Sequence, residues 1–599
     1  MNRKNCIRIA LALVFTCVAF LLPVPYSTFA FVVAYLIVGL DVVLTGLRNL
    51  FSGMALDENF LMTLSTVAAF FVGETVEAVA IMLFFQVGEL FQQYAVNRSR
   101  QSVAELMDLC PETVNLVRGE EILTVAPETV QVGEIFLVRP GERIALDGVV
   151  ESGAGNLSTT FISGESLPVA VEPGSPVISG SISLDTALYI RAEKNYENST
   201  VSKILELVED AAANKAPTER FITRFARYYT PVVVLLAVLL AVVLTLLCGQ
   251  FSRWLYRAII FLVVSCPCAL VVSVPLAFFG GIGAACRRGI LLKGSDYIEK
   301  LTRVNTIAFD KTGTLTEGRF AISGIYPTDG AEEALLTTIA VAENLSKHPI
   351  AVAFHDIAFD AEANSVTDYW EIGGSGIALK INGEACLVGK LEWLEAQGIA
   401  IEEKSTKSTC VYAARNGHFL GYVELDDKIK PEAAETLRRL QEMGIQTVML
   451  TGDNAAAAAR VAEQLGITEY KSAMLPQDKA AFMQERNKKA VTMFVGDGIN
   501  DAPTLMCADV GVSMGGLGSD SAIAASDMVL MKDDLSGLPE AIALAKRTLR
   551  KVKQNIWFSL VVKGAVLILG AIGLVGAPAA VFADVGVMVL AVLNALLNR

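Results

Sequence analysis

The run Asp310–Lys311–Thr312–Gly313–Thr314–Leu315–Thr316 follows directly on the apolar segment Thr306–Phe309. Such a segment reads as a buried strand, and in open α/β sheets reactive groups gather at the carboxyl ends of strands. An aspartate there can attack a phosphoryl group and carry it as an acyl phosphate. The glycine lets the backbone close around phosphate oxygens. Two more apolar segments end alike: Thr447–Leu450 runs into Thr451–Gly452–Asp453, and Ala490–Val495 into Gly496–Asp497–Gly498–Ile499–Asn500–Asp501. Carboxylates converging from strand ends suit Mg2+, which takes oxygen ligands and bridges phosphates. Lys479, in Pro476–Gln477–Asp478–Lys479, is placed to neutralise charge on a transferring group. One acid at a strand end is often only a helix cap; three ordered blocks point to phosphoryl transfer.

A second chemistry is written in sulfur. Cys266–Pro267–Cys268 lies inside a long apolar run. Residues two apart on a regular helix point roughly 200° away from each other, so the two thiols can share an ion only if the helix opens. Pro267 lacks an N–H and crowds the preceding turn, which predicts local unwinding with both sulfurs turned inward and freed backbone groups lining a cavity. Two thiolates suit a soft or borderline cation, not Na+, K+ or Ca2+. Between Asn555 and Asn598 the only charges are Lys563 and Asp584, and an ionisable group inside a span marks a pathway or a pair. Asp584 beside two thiolates puts three negative charges around the ion, a set that fits Zn2+ or Cd2+, whereas Cu+ has no need of a hard carboxylate. Lys563 is expected to pair with Asp584 when the site is empty, helping to expel the metal as a built-in counter-ion. Glu77 and Glu89, about three turns apart, are expected to mark the two ends of one polar face, Glu89 toward the cytoplasm for metal uptake and Glu77 for outward release. Asp41 is expected to be a packed or snorkelling acid.

These groups need elements to position them. Of 599 residues, 53% are hydrophobic and 19% charged, with a mean hydropathy of +0.49. Soluble globular chains average ~45–50% apolar and ~25% charged, so this one belongs in a membrane. A net charge of −14 lacks the basic footprint of nucleic-acid binding. Ten cysteines, with only Cys266 and Cys268 close together, make no disulfide framework. A span needs ~20 apolar residues, and eight spans are predicted. Two lie between Arg8 and Arg48, divided by Pro23 and Pro25; two follow at about Phe60–Val72 and Ala78–Gln93. Two lie between Tyr228 and Cys286, broken near Arg253 and Arg257, and two between Asn555 and Asn598, turning at Gly576–Ala577–Pro578. The first span has the look of a secretory signal, but a second follows at once, so no cleavage is expected. Lysines and arginines in the connections place the inserts of about 98–222 and 289–550 in the cytoplasm. The first insert, rich in Val, Ile and Thr, reads as β-rich. The second reads as a doubly wound α/β domain, interrupted between about 320 and 424 by an α+β pattern.

The Asp-Lys-Thr-Gly-Thr block and its companion strand ends resemble the P-type ATPases, and the resemblance covers nearly the whole chain. It implies a multidomain α-helical membrane protein of eight transmembrane helices with a cytoplasmic β-rich actuator domain. It further implies an α/β haloacid-dehalogenase-like phosphorylation domain carrying an inserted α+β nucleotide-binding domain. The expected bounds are 1–97 for helices one to four, 98–222 for the actuator and 223–288 for helices five and six. The phosphorylation domain takes 289–320 and 425–550, the nucleotide-binding domain 321–424, and the last two helices 551–599. By resemblance Asp310 is the phosphorylated nucleophile, and Thr312 (through its carbonyl) and Asp497 hold Mg2+. Thr451, Gly452, Asp453, Lys479, Asn500 and Asp501 cradle the phosphate. The family's Thr-Gly-Glu-Ser loop reads Ser163–Gly164–Glu165–Ser166 here, keeping the hydroxyl and leaving Glu165 to orient the attacking water.

Glu343, Ser346, His348 and Pro349 match the Ser-x-His-Pro region of the heavy-metal branch, and Gly374–Ser375–Gly376 its glycine pair; a third glycine of that loop is Ala378 here. The resemblance implies that Glu343 and His348 flank the adenine of ATP and that Gly374 and Gly376 admit the nucleotide closely. The spacing Asn555-x7-Lys563-x20-Asp584-x-Gly586, with Cys-Pro-Cys in the preceding helix pair, resembles the branch that exports zinc, cadmium and lead. No Cys-x-x-Cys occurs in these residues, so they do not include the amino-terminal metal-binding domain frequent in that branch; whether the native protein lacks it or it was removed stays open. The reading is an ATP-driven exporter of Zn2+, Cd2+ or Pb2+, unranked among the three, in the lipid bilayer of a bacterial plasma (inner) membrane. It is expected to act as a monomer and to have no nucleic-acid partner. A Cu+ exporter of the same architecture and a membrane-anchored phosphatase that transports nothing stay open.

Overall fold

The computed structural model describes residues 3–597 apart from 24–25, 52–57, 108–110, 112, 120, 160–167, 204–214, 266–267, 329, 347, 356, 358–364, 373–374, 402–408, 498–500 and 515–523. The described residues divide into two units, Met1–Thr302 with Ala541–Arg599, and Arg303–Glu540.

In the first unit each predicted span is helical over its described residues. Among the described residues six segments are long and apolar enough to cross a membrane: Tyr26–Asn49, Thr75–Tyr94, Tyr228–Cys248, Phe251–Cys286 (taken across 266–267), Gly537–Gly570, whose first turn belongs to the second unit, and Ala577–Leu596. Two shorter apolar helices, Asn5–Leu21 and Asn59–Val72, stand where the first and third spans were read. Small residues bring the helices close, as is usual where lipid gives no hydrophobic drive. A Cβ at Gly39 would stand 2.9 Å from Met82, and one at Gly46 3.0 Å from the Asn59 backbone. Ala12, Ala34, Ala78 and Ala580 are fully buried in the same cluster. Asp41 departs from the expectation of a merely packed or snorkelling acid. It pairs with Arg8 at 2.7 Å and accepts from Gln86 at 3.2 Å, because a carboxylate between helices is stable only with partners.

The same unit holds a β-rich part. Its six-stranded antiparallel sheet runs Glu121–Val125, Val114–Arg118, Ile135–Val138, Leu188–Ala192, Gly148–Ser152, Pro176–Val177. A second sheet of three strands centres on Gly155–Ser158, which pairs with Val169–Val171 and Ile182–Ser183. Phe136, Ile144, Leu146, Leu188 and Ile190 fill its core, each such side chain contributing ~1.5–3 kcal/mol on burial. Asp147 ties the loops together, accepting from the backbone N–H and the hydroxyl of both Ser179 and Thr200.

The second unit is built on a parallel sheet with Val304–Asp310 at its centre. Val491–Gly496 lies on one side and Gln446–Leu450 on the other, followed outward by Val510–Met514 and Met528–Leu530, and by Glu469–Lys471. This is the doubly wound arrangement read from the sequence. Thr316–Pro327 and His418–Ile429 then pair antiparallel along their length, from Thr316 opposite Ile429 to Pro327 opposite Gly421. They lead into a second sheet continuing through Cys410–Arg415, Glu384–Gly389, Gly376–Ile381 and Val366–Ile372. Bounds at 320/321 and 424/425 therefore fall inside two continuous strands. The inserted lobe buries Leu335, Ile339, Phe354, Leu379 and Val388.

Candidate functional site

Asp310 ends the central strand, level with Leu450 of one neighbour, while Phe309 is level with Val495 of the other. The ends of all three strands thus meet, as the sequence blocks required. Helix Pro476–Asn487 begins with a proline at its first position, and Asp478 Oδ2 accepts from the Leu475 N–H at 3.0 Å, a pre-organised start that fixes Lys479 in the first turn. Lys479 Nζ donates to Asp310 Oδ1 at 2.5 Å and to Asp501 Oδ1 at 2.9 Å, with all three residues buried. Thr451 is buried and its hydroxyl accepts from the Asp453 N–H at 3.1 Å. Lys311 forms an ion pair with Asp453 and lies 3.9 Å from Asp427. Thr316 Oγ1 bridges the Lys311 carbonyl and Asp427 Oδ2. Asp427 and the Lys311 pairing were not read from the sequence; the one hint was the adjacent acid pair Asp426–Asp427.

Burial, reinforced by Asp501 and Asp497 and opposed by Lys479, pushes the Asp310 carboxyl up to about 6. For Lys479, burial acts downward, but Asp310 and Asp501 outweigh it and the ammonium is held above its ordinary value. The acids outnumber the cation. Gly313 has φ 72°, and a Cβ there would stand 3.2 Å from Asp497 Oδ2, so the 310–316 turn closes directly onto Asp497. Among the described residues no three acid, His or Cys side chains could hold an ion by themselves. Two carboxylates and a backbone carbonyl remain, a hard oxygen set. Mg2+ commonly keeps several waters beside one or two carboxylates, and Asp310, Asp497 and Thr312 fit that pattern.

In the inserted lobe a cleft is lined by Glu343, Ser346, His348, Glu371, Gly376 and Lys390, among others. Glu343 ends helix Glu332–Glu343 and is pushed up to about 7, by burial first and by Glu371 second. Ser346 Oγ and Tyr369 OH both donate to the Glu371 carboxylate, each at 2.9 Å. His348 Nδ1 accepts from the Ile350 N–H at 3.3 Å, capping the turn Pro349–Phe354. A Cβ at Gly376 would collide with the Val388 carbonyl and the Trp393 ring, so glycine is required for the strand packing itself. Sequence reading missed Tyr369, Glu371 and Lys390; the period-two placement of Tyr369 and Glu371 on one strand face was the available signal.

In the helical unit, helix Phe251–Val264 ends with Ser265 in a turn, and a new helix begins at Cys268. Lys563 and Asp584 form an ion pair, the lysine buried and the Asp584 side chain 12% exposed. Lys563 Nζ also donates to the Val264 carbonyl at 3.3 Å. Asn555 Nδ2 donates to the Ala591 carbonyl and Asn594 Nδ2 to Asn555 Oδ1, fastening the last two helices. Glu77 accepts from Tyr256 OH at 2.9 Å, and Tyr256 in turn accepts from the Ala577 N–H. Glu89 accepts from Gln93, one turn on, at 3.1 Å. Glu165, Asn500, Gly374 and Cys266 lie outside the described residues, as does the side chain of Cys268.

Residues 108–209 match the P-type ATPase actuator domain, and 304–509 the haloacid dehalogenase-like hydrolases. A cadmium, zinc and cobalt-transporting ATPase of Bacillus subtilis is 47% identical, across 98% of this chain and 86% of that protein. A zinc/cadmium/lead-transporting P-type ATPase of Escherichia coli is 38% identical, across 96% of this chain and 79% of that one. A crystal structure of a zinc-transporting PIB-type ATPase in its E2.Pi state covers both chains completely at 33% identity, with a TM-score of 0.63. A sheet that brings three acidic strand ends around one aspartate, an actuator-like β part and a helical bundle with a buried lysine–aspartate pair all agree with these matches: the chain belongs to the P-type ATPases, in their heavy-metal-transporting branch.

Proposed function

We propose that this protein uses ATP to export zinc, cadmium and lead ions from the cytoplasm across a bacterial plasma (inner) membrane, acting as a single chain. The observation that carries this reading is the buried Lys563–Asp584 pair, whose lysine also bonds the Val264 carbonyl just ahead of Cys266–Pro267–Cys268. Metal names attached to the relatives support the same cargo class. Cobalt, in the Bacillus subtilis protein's name, belongs in the test.

Asp310 Oδ attacks the γ-phosphorus of ATP, the bond to the β–γ bridging oxygen breaks, and ADP leaves. Lys479 holds Asp310 in place and neutralises charge on the phosphoryl oxygens. Asp310, Asp497 and the Thr312 carbonyl would hold Mg2+, which when bound supplies further neutralisation of the phosphates. Thr451, Asp453, Asn500 and Asp501 bound the phosphate cradle. The bounds read from the sequence, 98–222 for the actuator and 321–424 for the nucleotide lobe, are kept as the working domain map. Glu165 of the actuator then takes a proton from the water that attacks the acyl phosphate; phosphate departs and the Asp310 carboxylate returns. Glu343 and His348 flank the adenine, and Gly374 and Gly376 admit the nucleotide closely.

The metal binds Cys266, Cys268 and Asp584, displacing Lys563; Lys563 re-pairs with Asp584 as the ion leaves outward. Glu89 serves uptake and Glu77 release. Coupling is a matter of populations: the ion and the phosphoryl group favour different states of the same helices. The test is ATPase activity of the purified protein against zinc, cadmium, lead, cobalt and copper(I), with Asp310→Asn and Asp584→Ala as controls. Zinc- and cadmium-stimulated hydrolysis that both substitutions abolish is expected. Hydrolysis indifferent to every metal would leave a phosphatase, and copper(I) stimulation untouched by Asp584→Ala would leave a copper pump.

A further inference from the structure

Hydroxyls on the apolar helices here bond their own backbone. Thr16, Thr63, Ser65, Thr66, Thr245 and Ser265 each donate to the carbonyl four residues back, at 2.5–2.7 Å. Ser559 does not. It is fully buried in helix Gly537–Ile572, and its Oγ has no partner among the described residues. A buried hydroxyl left this way is unfavourable unless something else uses it. Ser273 shares this state, but the helix Cys268–Cys286 on which it stands bears no charge. Ser559 stands one turn before Lys563, on the buried stripe Val552, Asn555, Ser559, Lys563.

Residues four apart on a helix are neighbours, and long helical side chains lean toward the helix amino terminus, over the residue at i−4. A lysine stem at 563 can therefore lie over Ser559. Its ammonium has three donors, and Asp584 and the Val264 carbonyl are among the groups they engage. Once a transported ion takes the Asp584 oxygen, the ammonium must give up the aspartate while still largely buried among the helices. It then needs an acceptor within one swing of its own side chain. We propose that Ser559 Oγ is that acceptor: a second seat for the Lys563 ammonium, taken while metal occupies Asp584 and vacated as metal departs. Ser559 is then a positioning residue that sets metal affinity through Lys563 without touching the ion. This rests on the reading of Lys563 as counter-charge at the Cys266, Cys268 and Asp584 site.

The test compares full-length protein in lipid, as wild type, Ser559→Ala, Ser559→Thr, Lys563→Ala and the Ser559→Ala/Lys563→Ala double variant. Two quantities are read: the zinc concentration giving half-maximal phosphoenzyme from ATP, and metal-free phosphoenzyme formation from inorganic phosphate. Loss of a hydrogen bond to a buried charge predicts a zinc requirement raised about tenfold in Ser559→Ala. Ser559→Thr should stay near wild type, and phosphorylation by inorganic phosphate should not change. In the Lys563→Ala background, Ser559→Ala should add nothing. An unchanged zinc requirement in Ser559→Ala overturns the proposal, and so does an equal rise with and without Lys563, which would make Ser559 a packing residue or a direct ligand. Failure of the underlying reading looks different: Asp584→Ala and Lys563→Ala would leave the zinc dependence untouched, whatever Ser559 does.

Discussion

Lys479 and Lys563 are both buried and both hold aspartates, and their surroundings give them opposite tasks. Lys479 serves two carboxylates, Asp310 at 2.5 Å and Asp501 at 2.9 Å, with Asp497 near enough to help push Asp310 up to about 6. Negative charge is in surplus there, so a cation is welcome in addition to the lysine. Lys563 meets the carboxylate of Asp584 and also donates to the Val264 carbonyl. That ion pair is neutral and lies among helices, so on the proposed reading a cation enters by displacing the lysine. The contrast separates a cofactor that binds by addition from a cargo that binds by exchange.

The strongest way to break this picture is Asp310→Asn, which should reduce ATP-dependent phosphoenzyme and turnover roughly 10^3-fold or more. Radiolabel from γ-phosphate that still enters the protein would move the nucleophile elsewhere. Lys479→Ala strands two buried acids and should cost about 3–5 kcal/mol in the Arg303–Glu540 unit, read as a lowered melting temperature alongside weak phosphorylation. A variant that melts like wild type would show the acids neutralised by other means. Asp584→Ala removes the partner of a buried lysine and should bring hydrolysis with zinc down to the metal-free level. Metal stimulation of ordinary size would mean the two lysines do not differ as described.

The smallest effect sharpens the comparison from a third acid. The folded protein keeps a proton on Glu343 up to about pH 7, whereas the unfolded chain gives it up near the ordinary glutamate value of about 4.3. The folded state therefore holds more protons between those limits. The stabilisation from this group is complete below the lower one and lost as pH rises through about 7. Glu343→Gln should flatten the fall in melting temperature between pH 5 and 8; an equally steep fall would place the titration on another group.

What the sequence revealed, and what it hid, follows from distance along the chain. The Asp310 block, the strand ends at Asp453 and Asp497 and the helix start before Lys479 are local patterns, so their convergence could be read directly. Lys563 and Asp584 were legible because an isolated charge in an apolar run must find a partner. Asp41 fits the same rule, yet its partner Arg8 had been read only as the edge of a span. Tyr256 meets Glu77 across 179 positions and Thr316 meets Asp427 across 111; no pattern of spacing announces such meetings. The lobe limits at 320/321 and 424/425 fall inside two strands because composition changes where burial changes, while the hydrogen-bonded ladder runs on.

That ladder has a consequence for the history of the molecule. Since Thr316–Pro327 goes out and His418–Ile429 comes back side by side, the inserted lobe begins and ends at adjacent points in space. Such an arrangement behaves like a cassette on a two-pin plug. It can be lengthened, trimmed or exchanged for another nucleotide reader with two cuts in the chain, and the sheet that presents Asp310 need not be rethreaded.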